Sequence, residues 1–431
     1  MHVVFVYGRD TTLRPEAGAE RSGGGIVTAL LSLVRRLADR GHEVDVFGRC
    51  KPAASIGGVR FRDRRTLAGF AASAEPDALV VVPDGLPLLL PIRARARVVW
   101  TGNAFYEGDV ALTAPWPWAP ELGRRGKRAR LYPLSLFGSC IDRLIVKSEW
   151  QRRLLSDGMT MPADKFGVIF NGVALEHFSG PRQPDGRHRL VYTSQPRRGL
   201  DVLLSLFPDI KAQVPAAELH LFSYDTLGDG FSSAVSQPGV FWRGRLSRPV
   251  LAHELRSAGL MAYPCTFKET FCTAVAEAQA AGLPVVCSTK AALAERVRAG
   301  VDGVLVDGDV HTDGFRRSFV DATVDLLHND SLRTRLGSAA RERASRHYDW
   351  DRIAAQWEAE LATATDQRPP AVPPAPAIDL LAPELLRVFA RGRSASVAPE
   401  LAAQWLRAAC DSYGFRVDEV AALRSVARVT A

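Results

Sequence analysis

The stretch at residues 263–286, YPCTFKETFCTAVAEAQAAGLPVV, places the strongest constraint on the fold. An apolar run at residues 260–263 leads into a polar loop, which is followed by an Ala-rich run of helix-forming composition that ends at Gly282. A second β-type run occupies residues 284–287. The pattern predicts a strand, a loop, a helix and a parallel strand. In open parallel sheets, ligands bind where such loops leave the carboxyl ends of the strands.

Two carboxylates stand out in this unit. Glu269 lies in the predicted loop and Glu277 on the predicted helix, with seven residues between them. Most glutamates are solvated surface residues, but this pair sits in an apolar frame that ends in Gly-Leu-Pro-Val-Val. The whole motif resembles the donor-binding motif of retaining glycosyltransferases of family 4. The resemblance implies an α/β protein with the GT-B fold, in which two Rossmann-like parallel-sheet domains face a central cleft.

The start of the chain resembles the same family. A first apolar strand is followed by a glycine cluster, and apolar residues at helical spacing then run up to Arg40 before a second strand begins at Glu43. Glycines that open a helix let the backbone approach a phosphate closely, although a flexible turn is an equally simple explanation. Further alternation of strands and helices predicts a doubly wound parallel sheet.

Length, charge and cysteine usage bound the remaining possibilities. A chain of 431 residues is long enough for two to three domains. The net charge of +8 suits an anionic small molecule or an acidic membrane surface. We expect no nucleic-acid partner, because no zinc-ligand spacing, helix-turn-helix signature or aromatic RNA-binding motif accompanies the charge. Six scattered cysteines, a short first apolar run and no apolar stretch of about 20 residues predict a cytoplasmic protein, peripheral to a membrane at most.

Five consecutive segments are predicted. The family resemblance covers roughly the first 362 residues, and the remainder is a Pro/Ala linker followed by apolar-periodic helical stretches. The tail reads as a small C-terminal helical appendage for self-association or docking. The segments are an acceptor-binding domain at 1–180, a nucleotide-sugar-binding domain at 186–346, a crossover helix at 347–362, the linker at 363–378 and the tail at 379–431.

The resemblance also implies roles for individual residues. Glu269, which would accept hydrogen bonds from the donor sugar, and Arg198, which matches a phosphate-binding Lys of the family, are the expected catalytic residues. The family's second basic residue falls on Thr193, and we expect Arg197 to compensate for it. Cys272 stands where the family commonly has Gly, which leaves the donor sugar open. The expected donor-binding residues are Glu277, Phe271, Cys272, Thr273, Gly24, Gly25, Arg197 and Lys268.

The acceptor side carries a weaker signal. Trp100 and Asn103 follow the predicted fourth strand and are expected to line the acceptor site, but neither is a general base. A basic segment at residues 124–130, next to apolar residues, fits either an anionic membrane or acceptor, or a solvated loop. No Asp-x-Asp motif stands at a predicted strand end, so neither a metal nor a cofactor is expected.

The predicted function is a retaining, metal-independent transfer of a sugar from a nucleotide sugar to a hydroxylated acceptor, such as a glycan, natural product or lipid-linked saccharide. Two alternatives remain open at this point. One is a nucleotide-sugar epimerase or hydrolase of GT-B fold. The other is a catalytically silent protein that binds a nucleotide sugar or serves as a scaffold.

Overall fold

The computed structural model describes most of the chain. The described residues are 1–8, 11–15, 25–50, 53–83, 86–102, 109–110, 132–133, 140–158, 161–183, 185–223, 227, 231, 234–366, 368–372 and 410–416. They divide into two compact units. The N-terminal unit comprises Met1–Lys147, Arg152–Ile169 and Ala354–Ala431, and the C-terminal unit comprises Ser148–Gln151 and Phe170–Ile353.

An eight-stranded sheet forms the centre of the N-terminal unit, with the strand order β10-β9-β6-β5-β1-β2-β4-β3. Neighbouring strands are parallel, except that β3 runs antiparallel to β4. Central strands such as β5, with the sequence ALVVV, are buried along their whole length, as expected for a sheet covered on both faces. The strands are β1 His2–Tyr7, β2 Glu43–Gly48, β3 Ala54–Ile56, β4 Val59–Asp63, β5 Ala78–Val82, β6 Ala96–Trp100, β9 Arg143–Val146 and β10 Phe166–Val168. A separate antiparallel pair joins β7 Asp109–Val110 to β8 Tyr132–Pro133.

The helices of the N-terminal unit cover this sheet with apolar faces. The first helix, α1 Gly25–Asp39, buries seven residues of one stripe. It is followed by α2 Leu67–Ala71 and α3 Glu149–Gly158. The Ser148 hydroxyl accepts a hydrogen bond from the Gln151 amide at 3.1 Å and so caps α3. The first residues of α3 are grouped with the C-terminal unit.

The C-terminal unit contains a six-stranded parallel sheet with the order β13-β12-β11-β14-β15-β16. Its strands are β11 Gly186–Tyr192, β12 Glu218–Phe222, β13 Val240–Gly244, β14 Ala258–Tyr263, β15 Val285–Ser288 and β16 Val304–Val306. The accompanying helices are α4 Leu175–Phe178, α5 Leu200–Gln213, α6 Arg248–Ser257, α7 Thr273–Ala280, α8 Leu293–Arg296, α9 Asp313–His328 and α10 Asp330–His347. The strand-loop-helix-strand unit predicted from the sequence is formed by β14, α7 and β15.

The last long helix, α11 Trp350–Thr365, begins in the C-terminal unit and continues into the N-terminal unit from Ala354 onward. The ring of Trp357 packs against Phe5 and Trp100, at centroid distances of 6.4 and 5.1 Å. The sequence-based start of the linker at residue 363 is wrong by a few residues, because the helix continues to Thr365. There the Thr365 hydroxyl donates to the carbonyl oxygen of Leu361 at 2.9 Å, so a polar residue is accommodated without ending the helix.

Beyond α11, the chain stays in the N-terminal unit. Ala371 forms an antiparallel bridge with Ala94, and the Arg97 guanidinium donates to the Ala371 carbonyl oxygen at 2.6 Å. Most of the predicted tail and the whole basic segment 124–130 lie outside the described residues. Within the described parts of the chain, no helix is both long and apolar enough to cross a lipid bilayer.

Candidate functional site

The loop that follows β14 holds a buried carboxylate. Glu269 is 5% exposed and accepts a hydrogen bond from Arg198 Nη1 at 2.6 Å and another from the Tyr263 hydroxyl at 2.8 Å. Burial and the neighbouring Glu269 charge raise the pKa of Tyr263 well above its ordinary value, so this hydroxyl stays protonated and donates. Ser194 Oγ lies 3.2 Å from the same hydroxyl. The carboxylate is therefore held by one cation and one neutral donor.

The loop after β11 supplies the cation. A 3-10 turn at Pro196–Arg198 ends at Gly199, whose φ of 113° is in the left-handed region. A Cβ on Gly199 would lie 2.2 Å from the Pro264 carbonyl oxygen, so only glycine lets this loop meet the loop after β14. The Arg198 guanidinium also stacks over the Phe267 ring at 4.6 Å. The two loops thus form one surface with Arg198 and Glu269 at its centre.

The loop after β11 also contains Thr193, at the position of the family's second basic residue, and Arg197, which is expected to compensate for it. The Thr193 hydroxyl is buried and has no hydrogen-bond partner among the described residues. Arg197 is exposed, and its guanidinium donates to Gln195 Oε1 at 2.9 Å, an oxygen that also accepts from Arg198 Nε at 3.2 Å. Gln195 therefore holds both arginines side by side at the edge of the site.

Glu277 lies on α7 and is 6% exposed. It forms an ion pair with Arg248, the first residue of α6. Arg248 was not predicted from the sequence, because no spacing rule connects the first residue of α6 with a carboxylate on α7, the helix that follows after β14. A basic residue next to a helix-starting proline was the only available signal.

The start of α7 has an unusual backbone. Cys272 precedes the helix with φ 65° and ψ 79°, a left-handed conformation that costs a non-glycine residue energy. This conformation explains why glycine is common at the position in the family. Burial raises the pKa of the Cys272 thiol well above its ordinary value, so the side chain is a neutral thiol and not a nucleophile. The amides of the first turn of α7 have no partners within the helix.

A buried arginine packs against the residues that precede α7. Arg296 is fully buried, and its guanidinium lies 3.8 Å from the Phe170 ring centroid and 5.0 Å from that of Phe271. Its carbonyl oxygen accepts from Gln279 Nε2 on α7 at 2.8 Å, and Gln279 Oε1 accepts from the Tyr348 hydroxyl at 3.1 Å. Arg296 and its contacts were not predicted from the sequence either. Arg296 holds Phe271, and with it the backbone just before α7.

The remaining predicted residues are placed as follows. Lys268 is partly exposed beside Glu269, and burial together with nearby Lys290 lowers its pKa. Gly25 begins α1 in the N-terminal unit, whereas Gly24 and Asn103 lie outside the described residues. Trp100 is only 2% exposed, with its ring against Trp357, so its described contacts are those of a core residue.

One group of described residues has ligand atoms close enough together to hold a metal ion. His2, Glu43 and Asp45 form this group in the N-terminal unit. However, Asp45 is already paired with Arg60 and Arg62, and two guanidinium groups oppose the binding of a cation. The group is therefore a structural ion-pair network.

The expectation that no Asp-x-Asp motif stands at a strand end is wrong, because Asp307-Gly308-Asp309 directly follows β16. There the Asp307 carboxylate accepts a hydrogen bond from the Thr289 hydroxyl at 2.5 Å.

Comparison with known proteins gives consistent results for both units. The family model described as "Glycosyltransferase Family 4" matches residues 23–177, and that described as "Glycosyl transferases group 1" matches residues 187–329. The phosphatidyl-myo-inositol mannosyltransferase of Mycobacterium leprae is 32% identical over 221 residues, which are 48% of this chain and 54% of the relative. The match thus spans about half the length of that relative.

Two solved structures share the fold. The sucrose-phosphate synthase of Thermosynechococcus elongatus has a TM-score of 0.65 at 18% identity, covering 83% of this chain and 98% of that one. The HepE protein of Anabaena, solved in complex with UDP-glucose, has a TM-score of 0.60 at 15% identity, covering 84% of this chain and 100% of that one. With its two parallel-sheet α/β units and its matches to both family models, the chain belongs to glycosyltransferase family 4 and has the GT-B fold.

Proposed function

We propose that the protein transfers a sugar from a nucleotide sugar to a hydroxyl group of an acceptor, with retention of the anomeric configuration. The observation that carries the proposal is the buried Glu269, held by Arg198 and Tyr263 at the carboxyl edge of the C-terminal sheet. A buried carboxylate fixed in this way is an oriented acceptor of hydrogen bonds from sugar hydroxyls. Glu277, one helix turn further into α7, supplies a second such acceptor.

Each residue is assigned the role that the family resemblance implies, and its charge and position support that role. Glu277 accepts hydrogen bonds from the ribose hydroxyls of the donor, and Glu269 from hydroxyls of the donor sugar. The amides of Phe271, Cys272 and Thr273 face the donor sugar and phosphate, where the N-terminus of α7 favours negative charge. Roles facing the donor or acceptor are also proposed for Gly24, Gly25 and Asn103 in the N-terminal unit, whereas the burial of Trp100 against Trp357 makes the role expected for it on the acceptor side wrong.

The chemical step requires stabilisation of the diphosphate as the glycosidic bond to it breaks. Arg198 is the nearest described cation to Glu269, and Arg197 and Lys268 add positive charge at the same edge. These cations serve the function that a metal ion has in other transferases, so we propose a metal-independent reaction. The leaving phosphate takes the proton from the acceptor hydroxyl, because no candidate general base is found among the predicted acceptor residues.

The acceptor is proposed from chemistry and from one relative. The M. leprae relative is named for action on phosphatidyl-myo-inositol. A cyclitol phosphate, free or lipid-linked, is therefore the acceptor class that we propose first. The basic segment 124–130 would suit contact with an anionic headgroup, and peripheral membrane association is part of this proposal.

The test is a transfer assay with UDP-glucose or GDP-mannose as donor and inositol phosphate or phosphatidylinositol as acceptor. The expected result is acceptor-dependent release of nucleoside diphosphate that is unaffected by EDTA. NMR of the product should show that the transferred sugar keeps the anomeric configuration that it had in the donor. Arg198→Met is expected to reduce kcat by at least about 100-fold, as the loss of one charge-stabilising donor does elsewhere. Glu254→Gln, at a partly buried ion pair with Arg189, is the control. An inverted anomer, or unchanged turnover in Arg198→Met, would contradict the proposal.

A further inference from the structure

The described part of the C-terminal tail is a packed piece of the N-terminal unit. We refer to residues 410–416 as the C-terminal segment. Within it, Cys410 is 0% exposed, Tyr413 1% and Phe415 5%. A loosely attached appendage would expose these apolar side chains. The segment lies beyond the residues matched by either family model, so its role does not follow from the family.

Specific backbone contacts fix the segment to the turn that follows β4 and to the start of α2. The Ala68 amide donates to the Tyr413 carbonyl oxygen at 3.3 Å. Gly414 has a φ of +78°, and a Cβ there would lie 2.0 Å from the Arg65 carbonyl oxygen. Close approach of two backbones therefore requires glycine at this position. The sequence of the segment is fitted to its place on the N-terminal unit.

The segment also reaches the end of β1 through one buried cation. Arg64 is 6% exposed, and its Nη1 donates to the Gly8 carbonyl oxygen at 3.0 Å. Its guanidinium carbon lies 5.7 Å from the ring centroid of Tyr413. Such a cation over an aromatic ring is attracted to its face. Tyr413, Arg64 and Gly8 thus form a continuous chain of contacts.

The contacts among Tyr413, Arg64 and Gly8 lie at an edge of the sheet where ligands can bind. Gly8 directly follows β1, and Arg64 directly follows β4, so both lie at the carboxyl edge of the parallel sheet. Ligands of open α/β sheets bind along that edge. We propose that the C-terminal segment is an integral part of the substrate-binding edge of the N-terminal unit, with Tyr413 as the positioning residue that holds Arg64 on Gly8. The assignment of this edge to the acceptor rests on the proposed function.

The first test detaches the segment without removing it. Gly414→Ala introduces the clash with Arg65, whereas Gly41→Ala, at φ +88° with nothing within 4 Å, has only the backbone cost and is the matched control. Burial raises the pKa of the Cys410 thiol to about 12, which suppresses its alkylation. In the full-length chain, alkylation of Cys410 mapped by mass spectrometry is expected to accelerate at least about tenfold in Gly414→Ala and not in Gly41→Ala. Equal rates in the two variants would show that the segment is not docked as described.

The second test separates positioning from stability. Tyr413→Leu keeps an apolar side chain but removes the ring face, whereas Tyr413→Phe keeps the ring face. Hydrogen exchange of the Gly8 amide, which donates to the Val82 carbonyl oxygen at 3.0 Å, is expected to be at least about threefold faster in Tyr413→Leu and near wild type in Tyr413→Phe. Exchange at the opposite end of β1, at the Asp77 amide bonded to the His2 carbonyl oxygen, should change in neither.

The outcomes distinguish this proposal from the proposed function. Faster exchange at both ends of β1 would indicate general destabilisation and overturn the positioning role, as would identical exchange in the Leu and Phe variants. These measurements use no substrate, so they remain decisive even if no sugar transfer is found. Where transfer is found, Tyr413→Leu should raise the acceptor KM and leave the donor KM unchanged. A rise in the donor KM alone would place the effect on the donor instead.

Discussion

Removal of Arg248 should destabilise the protein far more than removal of an ordinary surface arginine. The Glu277 side chain is only 8% exposed, whereas that of Arg248 is 25% exposed. Loss of one partner from a buried ion pair costs about 3–5 kcal/mol, because the remaining charge stays desolvated. Because Arg248 is partly exposed, water can enter the space that it leaves and partly solvate the remaining Glu277 carboxylate. We therefore expect Arg248→Met to lower the free energy of unfolding by about 2 kcal/mol.

The two partners should behave unequally. Glu277→Gln leaves Arg248, which can turn toward water, so its expected cost is about 1 kcal/mol. The double variant removes the uncompensated charge that Arg248→Met creates, and it should be at least about 1 kcal/mol more stable than the sum of the single effects predicts. This non-additivity is the signature of a direct pair.

Urea unfolding of the four proteins, followed by a probe of the C-terminal unit, measures these differences. Arg346→Met is the control, because Arg346 and Glu342 form an ion pair whose side chains are 68% and 59% exposed. Its expected cost is below about 0.5 kcal/mol. A cost for Arg248→Met as small as that of the control, or strictly additive effects in the double variant, would refute the argument that Arg248 holds Glu277.

Three further predictions concern other parts of the structure. Cys272→Gly should be more stable than Cys272→Ala by about 1 kcal/mol in thermal unfolding, because both lose the thiol but only glycine relieves the φ of 65°; equal stability would contradict the left-handed backbone. Gly172→Ala should cost at least about 2 kcal/mol, because its Cβ would lie 2.3 Å from the Trp350 ring; a neutral result would mean that the ring is elsewhere. Burial alone would raise the pKa of Asp45, but hydrogen bonds led by that from Arg60 outweigh it and hold the pKa well below its ordinary value of 3.8. The resulting stability is present above about pH 4 and is lost as pH falls further, so the stability gap between wild type and Asp45→Asn should shrink as pH falls from about 4 to 2; a constant gap would contradict the assignment.

The fold could be predicted from the sequence where local patterns carry it. The strand at Ala78–Val82 is a continuous apolar run, and it is buried along its length. The β14, α7 and β15 unit was predicted because composition, glycine and proline mark its boundaries. The extension of α11 to Thr365 was not predicted, because threonine and the proline-rich stretch that follows it disfavour a helix. The hydrogen bond from the Thr365 hydroxyl to the Leu361 carbonyl oxygen forms only once the helix is present.

The site was likewise predicted only in part. Glu269, Glu277 and Arg198 were predicted through a motif, and the structure places Arg198 on Glu269. The partners of these residues were not predicted. Tyr263 reads as an apolar strand end, and only the bend of the next loop brings Glu269 to its hydroxyl. Pairs formed between distant positions depend on the assembled sheet, and a single sequence contains no local signal for them.

Nucleotide binding by the C-terminal site tests the central claim most directly. Titration calorimetry with UDP and with GDP should show that wild type binds at least one of them, and that Glu277→Gln binds it about 10- to 100-fold more weakly, through loss of charged hydrogen bonds to ribose. Glu254→Gln, whose carboxylate pairs with Arg189 at 3.3 Å, should bind as wild type does. Equal affinity in wild type and Glu277→Gln, or no binding of either nucleotide, would contradict the assignment of this loop and helix as the donor site.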